Sequence, residues 1–171
     1  MNESTKQDIA QRITEIVQAA PHMNPMIEAM NIQELNVFID DSSMTSLVVI
    51  PSTNIMNDHG STFGGAIYTA ALLCGWSFIS SLLPHHGCVI QTATINYHRP
   101  IQGKFLICRC SYSLEGSEVT DLINTTRSSQ SKGKIPLQIC CYGSEDNTTS
   151  NLSEKADAVF EGLFHAGYLK S

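Results

Sequence analysis

The sequence predicts an α+β protein, an antiparallel sheet curled around one long buried helix, and three observations carry that expectation. Phe63 to Leu83 is apolar on almost every side, and no Asp, Glu, Lys or Arg stands between Asp58 and Arg99. A helix there has no face for water and must be wrapped by other elements. Runs rich in β-branched and apolar residues lie on both sides of it. The runs after the helix succeed one another across short turns instead of alternating with helices, which is the pattern of an antiparallel sheet.

Taken in order, Thr5–Ala19 reads as an amphipathic helix with Ile9, Ile13, Ile16 and Val17 on one stripe, stopped by Pro21. A short helical piece follows around Pro25–Met30. Leu35–Ile39 and Ser46–Ile50 are strands separated by Asp40-Asp41-Ser42-Ser43, whose side chains favour a turn, so a hairpin is expected. Residues 51–62 form a loop before the central helix. Four strands are expected after it, at Cys88–His98, Lys104–Leu114, Glu118–Ser128 and Lys134–Tyr142, with Pro136 weakening the start of the fourth. Ser144–Lys155 is polar and reads as a mobile connection, and Ala156–Tyr168 as a last strand. Residues 1–30 form an N-terminal helical extension and 31–171 the main domain.

At 171 residues the chain suits one domain with its own core, and 42% apolar with 15% charged residues is ordinary globular composition. A net charge of −6 argues against nucleic acid, whose phosphates demand a basic face. The central run is long enough to cross a membrane. Gly64, Gly65, Thr69, Ser77, Ser80 and Ser81 within it, and the lack of basic flanks, favour a soluble core helix instead. Lys6, Asp8, Arg12 and Glu15 interrupt the first twenty residues, so no secretory leader and a cytoplasmic location are expected. The six cysteines show no CxxC spacing and read as small buried side chains, neither disulfides nor a metal site. His85 and His86 lack further ligands nearby and read as a solvated loop.

The informative segment is Asn57-Asp58-His59-Gly60-Ser61-Thr62-Phe63-Gly64-Gly65. Glycines at a helix start let a ligand approach the backbone. The first N–H groups of the helix have no internal partner, and they sit where its dipole favours negative charge. A carbonyl oxygen that gains charge during reaction is stabilised there. Asn57 can offer a donor and an acceptor to the same volume. The plainer alternative is a Gly pair that only lets the helix pack, with Asn57 closing a turn.

Asn57-x-x-Gly60-x-x-Phe63-Gly64-Gly65, then Ala66-Ile67-Tyr68-Thr69 and Leu73-Cys74-Gly75-Trp76, resembles the hotdog-fold thioesterases. It is most similar to the thioesterase domain fused to an acetyltransferase in some bacteria. Ile95-Asn96-Tyr97-His98-Arg99-Pro100 resembles the strand ending in an Arg-Pro step after the central helix, and Phe160-Glu161-Gly162-Leu163-Phe164 the final strand. The resemblance spans roughly residues 30–170 and implies the hotdog fold. It implies homodimers or homotetramers whose sheets join edge to edge, with sites between subunits. It also implies a substrate carried on CoA or on the phosphopantetheine of acyl carrier protein, with no cofactor held by the enzyme. Catalytic roles would fall to Asn57, Gly64 and Gly65, with the two glycine N–H groups as an oxyanion hole. Substrate contacts would fall to His59, Phe63, Tyr68 and Arg99.

Many such thioesterases carry an Asp or Glu on the central helix to activate water, whereas Gly64–Leu83 has none. Hydrolysis needs a base, and an amide cannot serve. Asp58 and His59 are candidates, and Cys74 is a possible acyl acceptor that reads better as an inert buried thiol. Decarboxylation of a malonyl thioester, which needs enolate stabilisation and no base, is the alternative reaction, and would serve fatty-acid initiation. A non-catalytic acyl-thioester binder is a second alternative. Arg99, Lys104, Arg109, Arg127, Lys132 and Lys134 could rim the site for CoA phosphates or be ordinary surface charge.

Overall fold

A computed structural model describes Glu15 and residues 25–40, 42–83, 86–113, 115–129 and 132–168. The expected helix Thr5–Ala19 therefore lies outside the described residues, Glu15 excepted. The first full element is α1 (Pro25–Ala29), whose Ile27 is buried in the core. β1 (Glu34–Ile39) and β2 (Ser43–Pro51) form the expected hairpin, from Glu34 opposite Val49 to Ile39 opposite Met44. Asp40 builds its turn. The carboxylate accepts from the N–H groups of Ser42 (2.8 Å) and Ser43 (2.6 Å), and these bonds hold its pKa down at about 2.

A short 3₁₀ turn (Ser52–Asn54) and a loop lead into α2 (Gly64–Leu82), the expected central helix. β3 (His86–Tyr97), β4 (Phe105–Ser113), α3 (Glu118–Ser129), β5 (Gly133–Ser144) and β6 (Ala158–Tyr168) follow. The sheet runs β1-β2-β4-β5-β6-β3, and every neighbouring pair is antiparallel. β2 and β3 are joined through α2, so the chain crosses the whole sheet along the helix and β3 lands on the far edge. Ala70, Ala71, Cys74, Ile79 and Phe78 of α2 are buried against Val48, Leu106, Ile139, Phe160 and Phe164 of the strands. The apolar run is thus a core helix, covered by protein.

Three buried serines of this core are satisfied locally. The Ser46 and Ser77 hydroxyls lie 2.6 Å apart, Ser77 donates to the Cys74 carbonyl (2.9 Å), and Ser81 donates to the Ser77 carbonyl (2.8 Å). All six cysteines are free thiols, four of them buried. Cys108 and Cys141 are cross-strand neighbours with sulfurs 3.4 Å apart.

Two expectations are corrected. Glu118–Ser128 is helical, not a strand. Val119, Ile123 and Thr126 recur at helical spacing and are buried on one face. Ser117 caps the helix by accepting from the Thr120 N–H (3.1 Å), with Glu118 and Asp121 in the first turn and Arg127 in the last. The Val, Ile and Thr residues favour strands intrinsically, but capping and one-sided burial outweigh that preference. His86, expected in a solvated loop, opens β3 opposite Tyr168 and is buried; His85 lies outside the described residues. Among the described residues no group of three or more His, Cys, Asp or Glu side chains is placed to hold a metal.

Pro136 stands inside β5 because of an opening in the sheet. β4 pairs with β5 only between Phe105–Ser144 and Arg109–Cys140, so the first half of β5 is bonded to β6 alone. The missing N–H of Pro136 falls on the open side. Two residues on, the Gln138 N–H on that side is taken by the Tyr112 hydroxyl (2.7 Å).

Candidate active site

The start of α2 is built by three pieces of chain. Phe63 precedes the helix in an extended conformation (φ −62°, ψ 131°), and its carbonyl accepts from the N–H groups of Ala66 (2.9 Å) and Ile67 (3.1 Å). Its own N–H donates to the Ile55 carbonyl (2.7 Å), and the Thr62 N–H to the Ile101 carbonyl (2.8 Å). Those two bonds fix where the helix begins. The N–H groups of Gly64 and Gly65 find no acceptor among the described residues, as the first turn of a helix requires. Both glycines remain accessible, whereas the far end of the helix is buried. The dipole of a nineteen-residue helix therefore ends in two open donors at the surface.

Beside them lies a groove of about 360 Å³ walled by Ser61, Thr62, Gly64, Ile67 and the segment Tyr97–Ile101. The Tyr97 hydroxyl donates to the Gly64 carbonyl (2.9 Å), which ties the end of β3 to the helix start. A Cβ on Gly64 would stand 3.1 Å from that hydroxyl, and one on Gly65 would stand 2.6 Å from the Phe63 ring. A side chain at Gly64 would press on the Tyr97 hydroxyl, and one at Gly65 would have to displace the exposed Phe63 ring.

The expected site residues separate under this geometry. Gly64 and Arg99 border the groove, and Gly65 adjoins Gly64 in the same turn. Asn57 organises its own loop. Its carboxamide oxygen accepts from the N–H groups of His59 (3.0 Å) and Ser61 (3.1 Å), and its amide donates to the Ser61 hydroxyl (3.0 Å). Gly60 closes that turn at φ +73°, a left-handed conformation suited to glycine. Asn57 thus sets the approach to Thr62 and Phe63 through the backbone. Phe63 is 60% exposed with its ring over Gly65. Tyr68 packs edge-on against Phe160 at 5.2 Å, inside the sheet–helix interface and away from the groove wall. Asp58 and His59 make an exposed pair 3.7 Å apart and border no part of the groove. Burial pushes the Cys74 thiol up to about 12, which leaves it protonated and inert.

The basic residues also part company. Arg127 donates twice to the Leu82 carbonyl (2.6 and 3.2 Å) and closes the end of α2. Arg109 lies over the Tyr142 ring, and Lys104 pairs with Glu145 at 3.8 Å. Arg99 alone of that group borders the groove. One of its guanidinium nitrogens, Nη2, reaches both Asp157 (2.8 Å) and the Lys155 carbonyl (2.7 Å).

Sequence reasoning missed His98. It stands on the groove wall beside Gly64, whereas His59 does not. Its only local signal is its place at the end of β3. The pairing that returns that end to the start of α2 is long-range, so neither spacing nor periodicity announces it. An imidazole can take a proton from water, and among the described residues no Asp or Glu borders this groove.

A family model described as YiiD_C, "Putative thioesterase (yiiD_Cterm)", matches residues 13–165. The fold is similar to that of a protein of unknown function from Chlorobaculum tepidum, at 17% identity, TM-score 0.74, covering 94% of this chain and 96% of that one. It is also similar to a "putative thioesterase" from Shewanella oneidensis, at 21% identity, TM-score 0.65 and coverage of 92% and 99%. A Pseudomonas aeruginosa protein titled "Probable Thioesterase" matches at 14% identity, TM-score 0.66 and coverage of 91% and 96%. The architecture is the hotdog fold.

Proposed function

The chain belongs to the YiiD_C thioesterase family, whose members process acyl thioesters, and from that premise we propose that it hydrolyses them at the start of α2. The substrate is an acyl group carried on the phosphopantetheine arm of CoA or acyl carrier protein. The observation that carries this reading is that Gly64, the first of two successive open backbone donors, and the His98 imidazole line the same groove. The thioester carbonyl oxygen takes the two N–H groups. His98 accepts a proton from water as its oxygen bonds to the carbonyl carbon. The intermediate oxyanion is held by the amides and the helix dipole. Collapse breaks the C–S bond, and the thiolate leaves with the proton returned from His98, giving a carboxylic acid and a free thiol.

Asn57 holds the loop that places Phe63, and Tyr97 holds the Gly64 carbonyl, so both position the donors without touching the reacting atoms. Among the described residues neither the groove wall nor α2 carries an Asp or Glu, which supports a second reading, decarboxylation of a malonyl thioester, in which the same amides stabilise an enolate. The two reactions differ in product. Incubation with acetyl, malonyl and long-chain thioesters, on CoA and on carrier protein, is read by mass spectrometry. Free thiol is the expected product. An acetyl thioester formed from the malonyl substrate instead makes the chain a decarboxylase, and unchanged thioesters make it a binder. His98→Gln should lower hydrolysis by about 10²–10⁴-fold, the usual contribution of a general base.

A homodimer or a larger homo-oligomer is part of the reading. β3 is a twelve-residue outer strand with one side unpaired among the described residues and Val89 62% exposed. Pairing of two copies along that edge would cover it. Light scattering after gel filtration should give at least twice the chain mass; a monomer at micromolar concentration would contradict it.

A further inference from the structure

We propose that Arg99 and Lys155 seat the phosphate of the phosphopantetheine arm in a second cleft adjoining the reaction groove. The inference rests on the thioester reading and adds to it the place where the carrier is recognised. The cleft, of about 420 Å³, is lined by His98, Arg99, Lys155, Ala156 and Val159. It shares His98 and Arg99 with the groove beside Gly64, so one extended ligand can run through both.

Arg99 is prepared for an anion. Both of its contacts use Nη2, toward Asp157 and the Lys155 carbonyl. The guanidinium plane is thereby fixed, while Nε and Nη1 have no acceptor among the described residues. These two donors lie on opposite edges of the guanidinium, and each can give a phosphate oxygen one charge-assisted hydrogen bond. The Lys155 carbonyl also accepts from the Ser153 hydroxyl, so its backbone is held at two points. The Lys155 ammonium has no carboxylate partner among the described residues. Asp157 offsets part of the Arg99 charge and also binds the Gly143 N–H (2.9 Å), so it is committed to the scaffold. Among the described residues no Asp or Glu lines either cleft. In a chain of net charge −6, long-range attraction cannot bring an anionic carrier to the site. A local pair of cations at the mouth must do so.

The test compares one acyl group on CoA with the same group on N-acetylcysteamine, which carries no phosphate. Lys155→Ala should cut the ratio of kcat/KM for CoA over N-acetylcysteamine about tenfold, the loss of one exposed charge-assisted contact. Lys155→Glu should cut it further, through KM. Lys134→Ala, on the outer face of β5, should keep the ratio. A ratio unchanged in Lys155→Glu overturns the proposal. Acyl carrier protein separates the two sources of phosphate: a parallel loss there assigns the contact to the pantetheine arm. A loss for CoA alone moves it to the nucleotide and overturns that assignment. Should the wild type turn over neither substrate, the thioester reading fails by itself. Calorimetry with CoA then decides the cleft: binding lost in Lys155→Glu sustains it, and no binding to the wild type removes it.

Discussion

Ser46 and Ser77 form a fully buried hydroxyl pair between β2 and α2, and the direction of their hydrogen bonds makes a sharp forecast. Each hydroxyl has one proton. With the Ser77 proton on the Cys74 carbonyl (2.9 Å), the 2.6 Å contact is made by Ser46 donating to Ser77. Ser77→Ala therefore strands the Ser46 donor in the core, and a stranded buried group costs about 1–3 kcal/mol. Ser46→Ala strands nothing, since Ser77 keeps its carbonyl partner, and should cost about 1 kcal/mol, the net worth of one hydrogen bond. Ser46→Ala in the Ser77→Ala background removes the orphan, so the double variant should be no less stable than Ser77→Ala alone. A two-site cycle by urea denaturation reads the coupling directly. At this chain length 1 kcal/mol moves Tm by about 2–4 °C, so Ser77→Ala should melt several degrees low. Two costs that simply add would refute the donor assignment.

Three further outcomes follow from the fold. Arg127→Ala removes two charge-assisted bonds from the last turn of α2 and should cost about 1.5–3 kcal/mol in urea denaturation; an unchanged midpoint would show that the cap contributes nothing. The Cys74 thiol, pushed up to about 12 by burial, should resist iodoacetamide at pH 8 in the native protein and label on unfolding; rapid native labelling would contradict its burial. The Asp40 carboxylate, held down at about 2 by the turn N–H groups, should titrate by NMR near that value. Because its folded pKa lies below the unfolded one near 3.8, the stability it contributes is complete above about pH 4 and lost as pH falls toward 2.

Much of this molecule was legible because a few constraints act locally. The apolar run Phe63–Leu83 has no charged face and reads as a wrapped helix, and Asp40 with Ser42 and Ser43 reads as a turn. The error at Glu118–Ser128 has a local cause: Val119, Thr120, Ile123, Thr125 and Thr126 favour strands, and the Ser117 cap with acidic first-turn residues was the contrary signal. The glycine pair was legible as backbone chemistry. Which side chains face it was not, because strand pairing across the molecule, not sequence spacing, brings Tyr97 and His98 to Gly64. Asn57 shows the opposite limit, since its residue type suits both a turn and a substrate, and the hydrogen bonds reveal the turn.

The central claim is that the open amides of Gly64 and Gly65 receive the thioester oxygen. A crystal structure with a non-hydrolysable analogue, an acyl-CoA whose thioester sulfur is replaced by methylene, tests it most directly. The carbonyl oxygen should sit about 2.7–3.1 Å from both nitrogens, with the chain of the analogue leaving past His98. An analogue bound with its carbonyl elsewhere, and those two N–H groups facing only water, would contradict it.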